Sequence, residues 1–324
     1  MKIEHSFRKM ASPFAVRIDV LAERMYEVDI ERLKTDLEEE ARTIEQHFSR
    51  FEATSELTEL NARVGQTTEI SDRFRQVLQL TEQAHSITAG AFDPRIIRHL
   101  ERLGYPGAPL PQGILQEADA RSAKDPLFLW RGERRVELPA PIDLGGIVKG
   151  YAADCLADLI ESRIPEPLLA GFIVNAGGDV VLRGAQESGE SWSIGVENPF
   201  QPERILAALS MQGERRSVCT SSVWRKSWEM EGRRVHHLID PGSGEPVTSQ
   251  IQSVTAMAQS AAFAEVLTKY VFVRGSFPPA VDAFGGLPRV LIVNGSRSLF
   301  VTGDFSPYLS WVDPAMNTTV LGEL

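Results

Sequence analysis

Two glycine turns, each beside an aspartate, bracket one helical run and constrain this chain more than any other feature. The first reads Ile142-Asp143-Leu144-Gly145-Gly146-Ile147-Val148-Lys149, and the second reads Val174-Asn175-Ala176-Gly177-Gly178-Asp179. Glycine lets the backbone come close to a ligand, and the open amides at a helix start favour an anion. Lys149 adds a mobile positive charge at the same place. A bound phosphate, part of a nucleotide, is the functional expectation. The spacing excludes the common phosphate loops, because neither G-x-G-x-x-G nor G-x-x-x-x-G-K-[ST] occurs. On these residues alone a second reading stands beside the first: a tight turn followed by a helix start. The second turn lies between the apolar runs Phe172–Val174 and Val180–Leu182, so it also reads as a plain hairpin loop.

Composition narrows the class of protein. A chain of 324 residues exceeds the size at which single cores usually stop growing. No linker-like stretch divides it, so the expectation is one domain of two lobes over residues 1–324. Hydrophobic content of 43% and charged content of 24% are those of a globular protein. A formal charge of −10 argues against nonspecific nucleic-acid binding, which needs a basic surface. No apolar run is long enough to span a membrane. The start, Met1-Lys2-Ile3-Glu4-His5, has no apolar secretory core, and a cytoplasmic location is expected from it. Cys155 and Cys219 have no metal-binding or C-x-x-C spacing and read as small core residues.

Periodicity supplies the elements. Val16–Val20 alternates like a strand. From about Asp29 to Arg50, Ile30, Leu33, Leu37, Ala41, Ile44 and Phe48 share one helical stripe, leaving Glu38, Glu39 and Glu40 as a solvated face. A second helix starts after Ser71 as N-cap, turns Phe74, Val77, Leu78, Thr81 and Ala84 inward, and stops at Gly90. Residues 104–113 read as a loop, and Leu127–Leu138 as a hairpin around Arg131-Gly132-Glu133. Strands are expected at 172–174, 180–182, 193–196, 205–211, 217–220, 235–239, 253–258, 289–293 and 299–301, with a helix over about 261–272. Many strands in succession, with helices mostly in the N-terminal half, predict an α+β fold with antiparallel-rich sheets and flanking helices.

Read in order, seven segments resemble the ApbE family, the FAD:protein FMN transferases. Met10-Ala11-Ser12-Pro13-Phe14 is similar to the family's opening segment, and Phe48-Ser49-Arg50-Phe51 with Ser55-Glu56-Leu57 and Leu60-Asn61 to its F-S-x-F…S-E-L…L-N element. Gly90-Ala91-Phe92-Asp93-Pro94 follows, then the two glycine turns, Thr220-Ser221, and His237-Leu238-Ile239-Asp240-Pro241. The resemblance runs from about Met10 to Phe305.

It implies a reaction in which the FAD pyrophosphate is cleaved, FMN passes to a threonine or serine hydroxyl of an acceptor flavoprotein, and AMP leaves. Magnesium would bridge the pyrophosphate. His237 stands where the family has the histidine before its D-P turn and is the candidate general base, with an ordinary pKa suited to neutral pH. In an alternating strand His236 would point to the other face. Asp240 either shapes its own turn or orients His237. Met10, Phe92, Asp93, Lys149, Asn175, Gly177, Gly178, Asp179, Thr220 and Ser221 are the implied nucleotide contacts. Ser222 replaces the family's glycine after Thr-Ser, and Trp224 stands near its aromatic. For the metal, the resemblance implies the Gly146 carbonyl and an aspartate and threonine four residues apart on the late helix. Aligned on Phe272-Val273-Arg274-Gly275, those two positions are Glu265 and Lys269. Glutamate is still a hard oxygen ligand, whereas a protonated lysine has no free lone pair. Thr268 is one position away, about 100° around the helix. Lys269 therefore either contacts phosphate directly in place of part of the metal's charge, or marks an FAD-binding homologue that does not transfer FMN. An FAD pyrophosphatase, with water as the acceptor, is the third reading.

Overall fold

Residues 1–21, 29–105, 125–277, 284, 286 and 288–321 are described by the computed structural model. In chain order the elements are β1 (Lys2–Lys9), β2 (Ser12–Val20), α1 (Ile30–Phe48), α2 (Glu56–Asn61), β3 (Thr67–Glu69), α3 (Asp72–Ile87) and α4 (Ile97–Arg102). There follow β4 (Leu129–Trp130), β5 (Arg135–Glu137), α5 (Val148–Arg163), β6 (Leu169–Ala176), β7 (Asp179–Gly184), β8 (Trp192–Asn198) and β9 (Gln201–Met211). The last are β10 (Gly213–Ser222), β11 (Ser227–Met230), β12 (Arg233–His236), β13 (Ile251–Ala258), α6 (Ala261–Arg274), β14 (Arg289–Asn294), β15 (Ser298–Thr302), β16 (Leu309–Val312) and β17 (Asn317–Leu321). The fold is α+β.

Two compact units share the chain. The first takes Met1–Arg42, Lys149–Trp224 and Ser249–Leu324; the second takes Thr43–Val148 and Arg225–Thr248. In the first unit a sheet runs in the order β1-β2-β6-β7-β10-β13-β14-β15-β17. Its neighbours pair antiparallel except β15 with β17, which are parallel. Alternation gives each face its own partner. On β10 and β13, Val218 and Met257 pack with Leu206 and Leu209 of the small sheet β16-β9-β8. The intervening Cys219 and Ser221 instead meet α6, at the Ala261 carbonyl and the Thr268 hydroxyl. α6 is buried almost all round, so it shows no polar face.

In the second unit Phe48, at the end of α1, stacks on Phe74 of α3 with ring centroids 5.2 Å apart. Along α1, whose residues up to Arg42 belong to the first unit, Leu33, Leu37, Ala41, Ile44 and Phe48 are buried and Ile30 is half-buried. Ser71 caps α3, its hydroxyl accepting the Phe74 N–H at 3.1 Å. Ala89 and Gly90 then turn the chain out of the helix with positive φ. β3-β5-β4 and the β11-β12 hairpin complete this unit.

Two expectations differ from the structure. The strand expected over 235–239 ends at His236, because Leu238 N–H turns back onto the His236 ring and Ile239 bridges Pro246. β1, β3, β11, β16, β17, α2 and α4 were not anticipated. All are short or half-exposed, and even β1, which alternates, carries only Ile3 and Phe7 as apolar residues on its inward side. Of the loop expected over 104–113, Gly104 and Tyr105 are described and the rest lies outside the described residues.

Candidate functional site

One end of the large sheet gathers most of the residues singled out in the first unit. Gly177 and Gly178 form the two-residue turn between β6 and β7, with φ of 66° and 104°. Positive φ at both positions suits a tight hairpin and favours glycine. Asn175 holds this turn by accepting the Gly178 N–H at 2.8 Å. The Gly177 N–H goes to the Pro13 carbonyl at 2.9 Å, and a Cβ on Gly177 would lie 2.8 Å from Cβ of Ser12. Met10 and Ala11 form the neighbouring turn, between β1 and β2, and both hold φ of 53° without being glycine. The β2–β6 pairing thus sets the Met10 turn beside the Asn175 turn, and both turn amides are spent on the protein itself. Space beside Gly178 is open, since a Cβ there would meet nothing within 4 Å.

Immediately after the turn, Asp179 enters a buried ionic cluster. Lys149, in the first turn of α5, bonds Asp179 and also reaches Glu265 Oε1 of α6 at 3.0 Å. Lys269, one helical turn beyond Glu265, reaches the same Oε1 at 3.0 Å. The other oxygen, Oε2, accepts the Gly150 N–H at 3.1 Å. Lys149 is therefore not the mobile charge expected from the sequence; two carboxylates hold it. Burial alone would lower the Lys149 pKa, but those two charges outweigh it and raise it well above the usual lysine range. Burial would likewise raise Glu265, yet Lys149 and Lys269 hold it down to about 2. Burial and the Glu265 charge keep Asp179 above the ordinary aspartate value against the pull of Lys149. Asp179 is thus the weaker acid of the pair.

Hydroxyls continue from the cluster. Thr268 Oγ1 donates to the Glu265 carbonyl at 2.7 Å and shares a second hydrogen bond with Ser221 Oγ at 2.7 Å. Thr220 Oγ1 bonds Thr255 Oγ1 at 2.9 Å. Ser221 and Thr220 alternate along β10, one buried and one half-buried.

These side chains do not fit a divalent cation at Glu265 and Thr268. Both Glu265 oxygens already accept hydrogen bonds, and two ammonium groups share one of them. Unit charges roughly 4 Å apart interact by about 4 kcal/mol at an effective dielectric of about 20, and a dication doubles the repulsion from each ammonium. Thr268 is committed to Glu265 and Ser221. Among the described residues, no group of three or more His, Cys, Asp or Glu has metal-binding geometry. Gly146 lies in the other unit, half-buried in the turn before α5.

A second carboxylate at the α5–α6 contact was missed in the sequence. Asp154 accepts the Ala261 and Ala262 N–H groups at 2.9 and 3.0 Å, while the Ser260 hydroxyl takes that of Phe263. The first amides of α6 are thereby filled from within the fold. Burial pushes Asp154 up to about 6, against the two amides and Arg215. Gly150, one turn before Asp154, lies against the Ala261 carbonyl, where an added Cβ would overlap backbone. The available signal was a helix carrying Gly150, Ala152, Ala153 and Asp154 together, small residues beside one acid.

In the second unit, Asp93 is locked by Arg95, whose Nε and Nη2 donate to it at 2.9 and 2.6 Å, with His85 Nε2 at 3.4 Å. Burial would raise this carboxyl, but His85 and Arg95 hold it well below the usual range. Phe92 beside it is buried, its N–H on Thr88 Oγ1 at 3.1 Å. Asp240 Oδ1 accepts the Gly242 N–H at 2.9 Å and Oδ2 the Ser243 hydroxyl at 3.1 Å, so it shapes its own turn. His236 Nε2 lies 3.2 Å from the Val247 carbonyl and its Nδ1 accepts the Leu238 N–H at 3.3 Å, occupying both ring nitrogens. Burial lowers its pKa. His237, half-buried, donates its backbone N–H to the Lys226 carbonyl at 3.2 Å, with Nδ1 3.3 Å from the same oxygen.

The chain is similar to known proteins over most of its length. The model of the ApbE family matches residues 10–278. An FAD:protein FMN transferase of Vibrio cholerae is 25% identical over 292 residues, covering 87% of this chain and 86% of that protein. Among solved structures, an ApbE protein of Thermotoga maritima superposes with a TM-score of 0.78 at 25% identity, over 95% of this chain and 99% of that one. The flavin transferase ApbE of Vibrio cholerae superposes with a TM-score of 0.76 at 20% identity, over 95% and 99%.

Proposed function

The chain belongs to the ApbE family, and from that premise we propose that it is an FAD:protein FMN transferase. One observation carries the reading. The Met10–Pro13 turn, the Asn175–Gly178 turn, Asp179 and Thr220-Ser221 are distant in sequence yet share one end of the first unit's sheet. That is where the resemblance expects the nucleotide, and the open side of Gly178 leaves it room.

In this reading a threonine or serine oxygen of the acceptor attacks the FMN phosphorus of FAD. A phosphoester bond forms to that oxygen, the pyrophosphate bond to AMP breaks, and AMP departs with the bonding pair. His237 takes the hydroxyl proton at Nε2, a role worth about 10²–10⁴-fold in rate for a well-placed base. Asp240 acts by holding the turn that presents His237. The family resemblance also implies magnesium; Glu265 offers it no free carboxylate, and no step here runs through it. We take residues 1–324 as one domain and the acceptor as a flavoprotein met in the cytoplasm. One observation favours a second reading, an FAD binder that does not transfer: Lys269 sits on Glu265.

The test incubates the protein with FAD, magnesium and an acceptor domain bearing a threonine or serine site, then measures covalent flavin and AMP. Both are expected together. AMP without covalent flavin would indicate a pyrophosphatase, and bound FAD without either product a binder. His237→Ala should lower transfer by about 100-fold or more with FAD affinity held within about twofold, because a base acts on the chemical step. His236→Ala should do far less; equal loss in both variants would sink the assignment of His237.

A further inference from the structure

The cluster at Glu265 is electrically closed without a metal. Lys149 and Lys269 carry two positive charges and Asp179 and Glu265 two negative ones, all bonded within the first unit. The side chain of Glu265 is 2% exposed and that of Lys149 20%. Lys269 keeps a similar 16% exposure. Its ammonium has three donors, of which one is directed at Glu265. A dication seated on Glu265 would have to displace an ammonium that has no other buried carboxylate within the cluster, since Asp179 already holds Lys149. The fixed spacing also matters: Lys269 is four residues after Glu265 on a buried, capped helix, so its position is set by the fold.

We propose that Lys269 is this chain's built-in cation, occupying the place of a divalent ion at Glu265 and donating directly to a phosphate of the bound dinucleotide. The phosphate contact rests on the transferase reading; the exclusion of metal from Glu265 does not. An ammonium serves as a point charge for phosphate. FAD affinity in this protein therefore needs no metal at this position.

Two measurements test it. FAD affinity is followed by flavin fluorescence in excess magnesium and in EDTA, and Mn²⁺ binding by the electron paramagnetic resonance signal of the free ion. Wild type should bind FAD equally in both buffers, within about twofold, and Glu265→Gln should leave Mn²⁺ binding unchanged. Lys269→Thr should lose about tenfold in FAD affinity in EDTA, the size of one charge-assisted hydrogen bond. Magnesium should restore that loss, and a Mn²⁺ site should appear. Lys269→Met keeps the apolar stem and serves if the threonine variant does not fold; it should lose FAD affinity and gain no metal. The proposal is overturned by wild-type FAD affinity falling about tenfold in EDTA, by a wild-type Mn²⁺ site that Glu265→Gln removes, or by unchanged affinity in the Lys269 variants. Wild type that binds FAD in neither buffer overturns the transferase reading and the phosphate contact with it. The manganese comparison then still decides whether Glu265 takes a metal.

Discussion

Asp154 and Glu265 are both buried carboxylates at the contact of α5 with α6, one turn apart in their surroundings, and they are held at opposite ends of the acid range. Asp154 receives two backbone amides, with Arg215 at 3.5 Å, and burial prevails, leaving it at about 6. Glu265 receives one amide and two ammonium groups at 3.0 Å, and charge prevails over burial, leaving it at about 2. Similar desolvation thus has opposite outcomes, decided by whether two close ammonium groups or two amides and one more distant guanidinium stand against it. One end of the contact is a helix cap; the other is a charged cluster at the candidate site.

The two ends of the contact differ most at Lys149, which serves the charged end and not the helix cap. Lys149→Met should leave Asp179 and Glu265 facing each other with Lys269 as their remaining cation. The expected loss is about 3–5 kcal/mol, the usual cost of stranding a buried charge. Urea unfolding at neutral pH measures it, and a loss below about 1 kcal/mol would show that the cluster rearranges freely.

The two carboxylates should also give opposite pH dependence. Asp154 has a folded pKa above its ordinary 3.8, so its contribution is full below that value and is lost as pH rises through about 6. Glu265 has a folded pKa below its ordinary 4.5, so its contribution is present above 4.5 and is lost as pH falls toward about 2. Each shift is worth about 3 kcal/mol when one pKa unit is about 1.4 kcal/mol. The cost of Asp154→Asn should therefore shrink from pH 4 to pH 7, and that of Glu265→Gln should shrink from pH 5 to pH 3. Slopes of the same sign in unfolding titrations of the two variants would end the comparison.

The sequence made the local half of this picture legible. The α1 stripe, the Ser71 cap and the β6–β7 turn follow from periods and turn residues within a few positions of one another. The α5–α6 contact does not. Lys149 and Glu265 are 116 residues apart, and Asp154 and Ala261 are 107 apart. No period links such pairs, so Lys149 read as a mobile cation and Asp154 was not singled out. The turns were visible as glycine pairs, but that the amides of the second serve Pro13 and Asn175 was not. His237 was found through the resemblance, and the structure adds that the chain leaves its strand one residue earlier.

Gly150 joins the two ends of the contact, since its N–H bonds Glu265 and its Cα lies against the Ala261 carbonyl. Gly150→Ala should push α5 away from α6 and cost about 1–3 kcal/mol, the range for overpacking a tight core. If the contact is one rigid unit, the variant should shift the pH dependence assigned to Asp154 and that assigned to Glu265 together. A change in only one would show that the two ends move independently.

The smallest effect is expected outside the contact, at the Met10–Ala11 turn. Ala11 holds φ of 53°, a left-handed conformation that costs a non-glycine residue about 1–2 kcal/mol. Ala11→Gly removes that strain but widens the unfolded ensemble by about 0.4–1 kcal/mol, so a net gain of about 0.5–1 kcal/mol remains. Because this turn touches neither Asp154 nor Glu265, the gain should be the same at pH 4 and pH 7. A pH-dependent gain in urea unfolding would mean that the turn is coupled to the ionic cluster through Gly177 and Asp179, and that the charged end of the α5–α6 contact extends to the sheet tip.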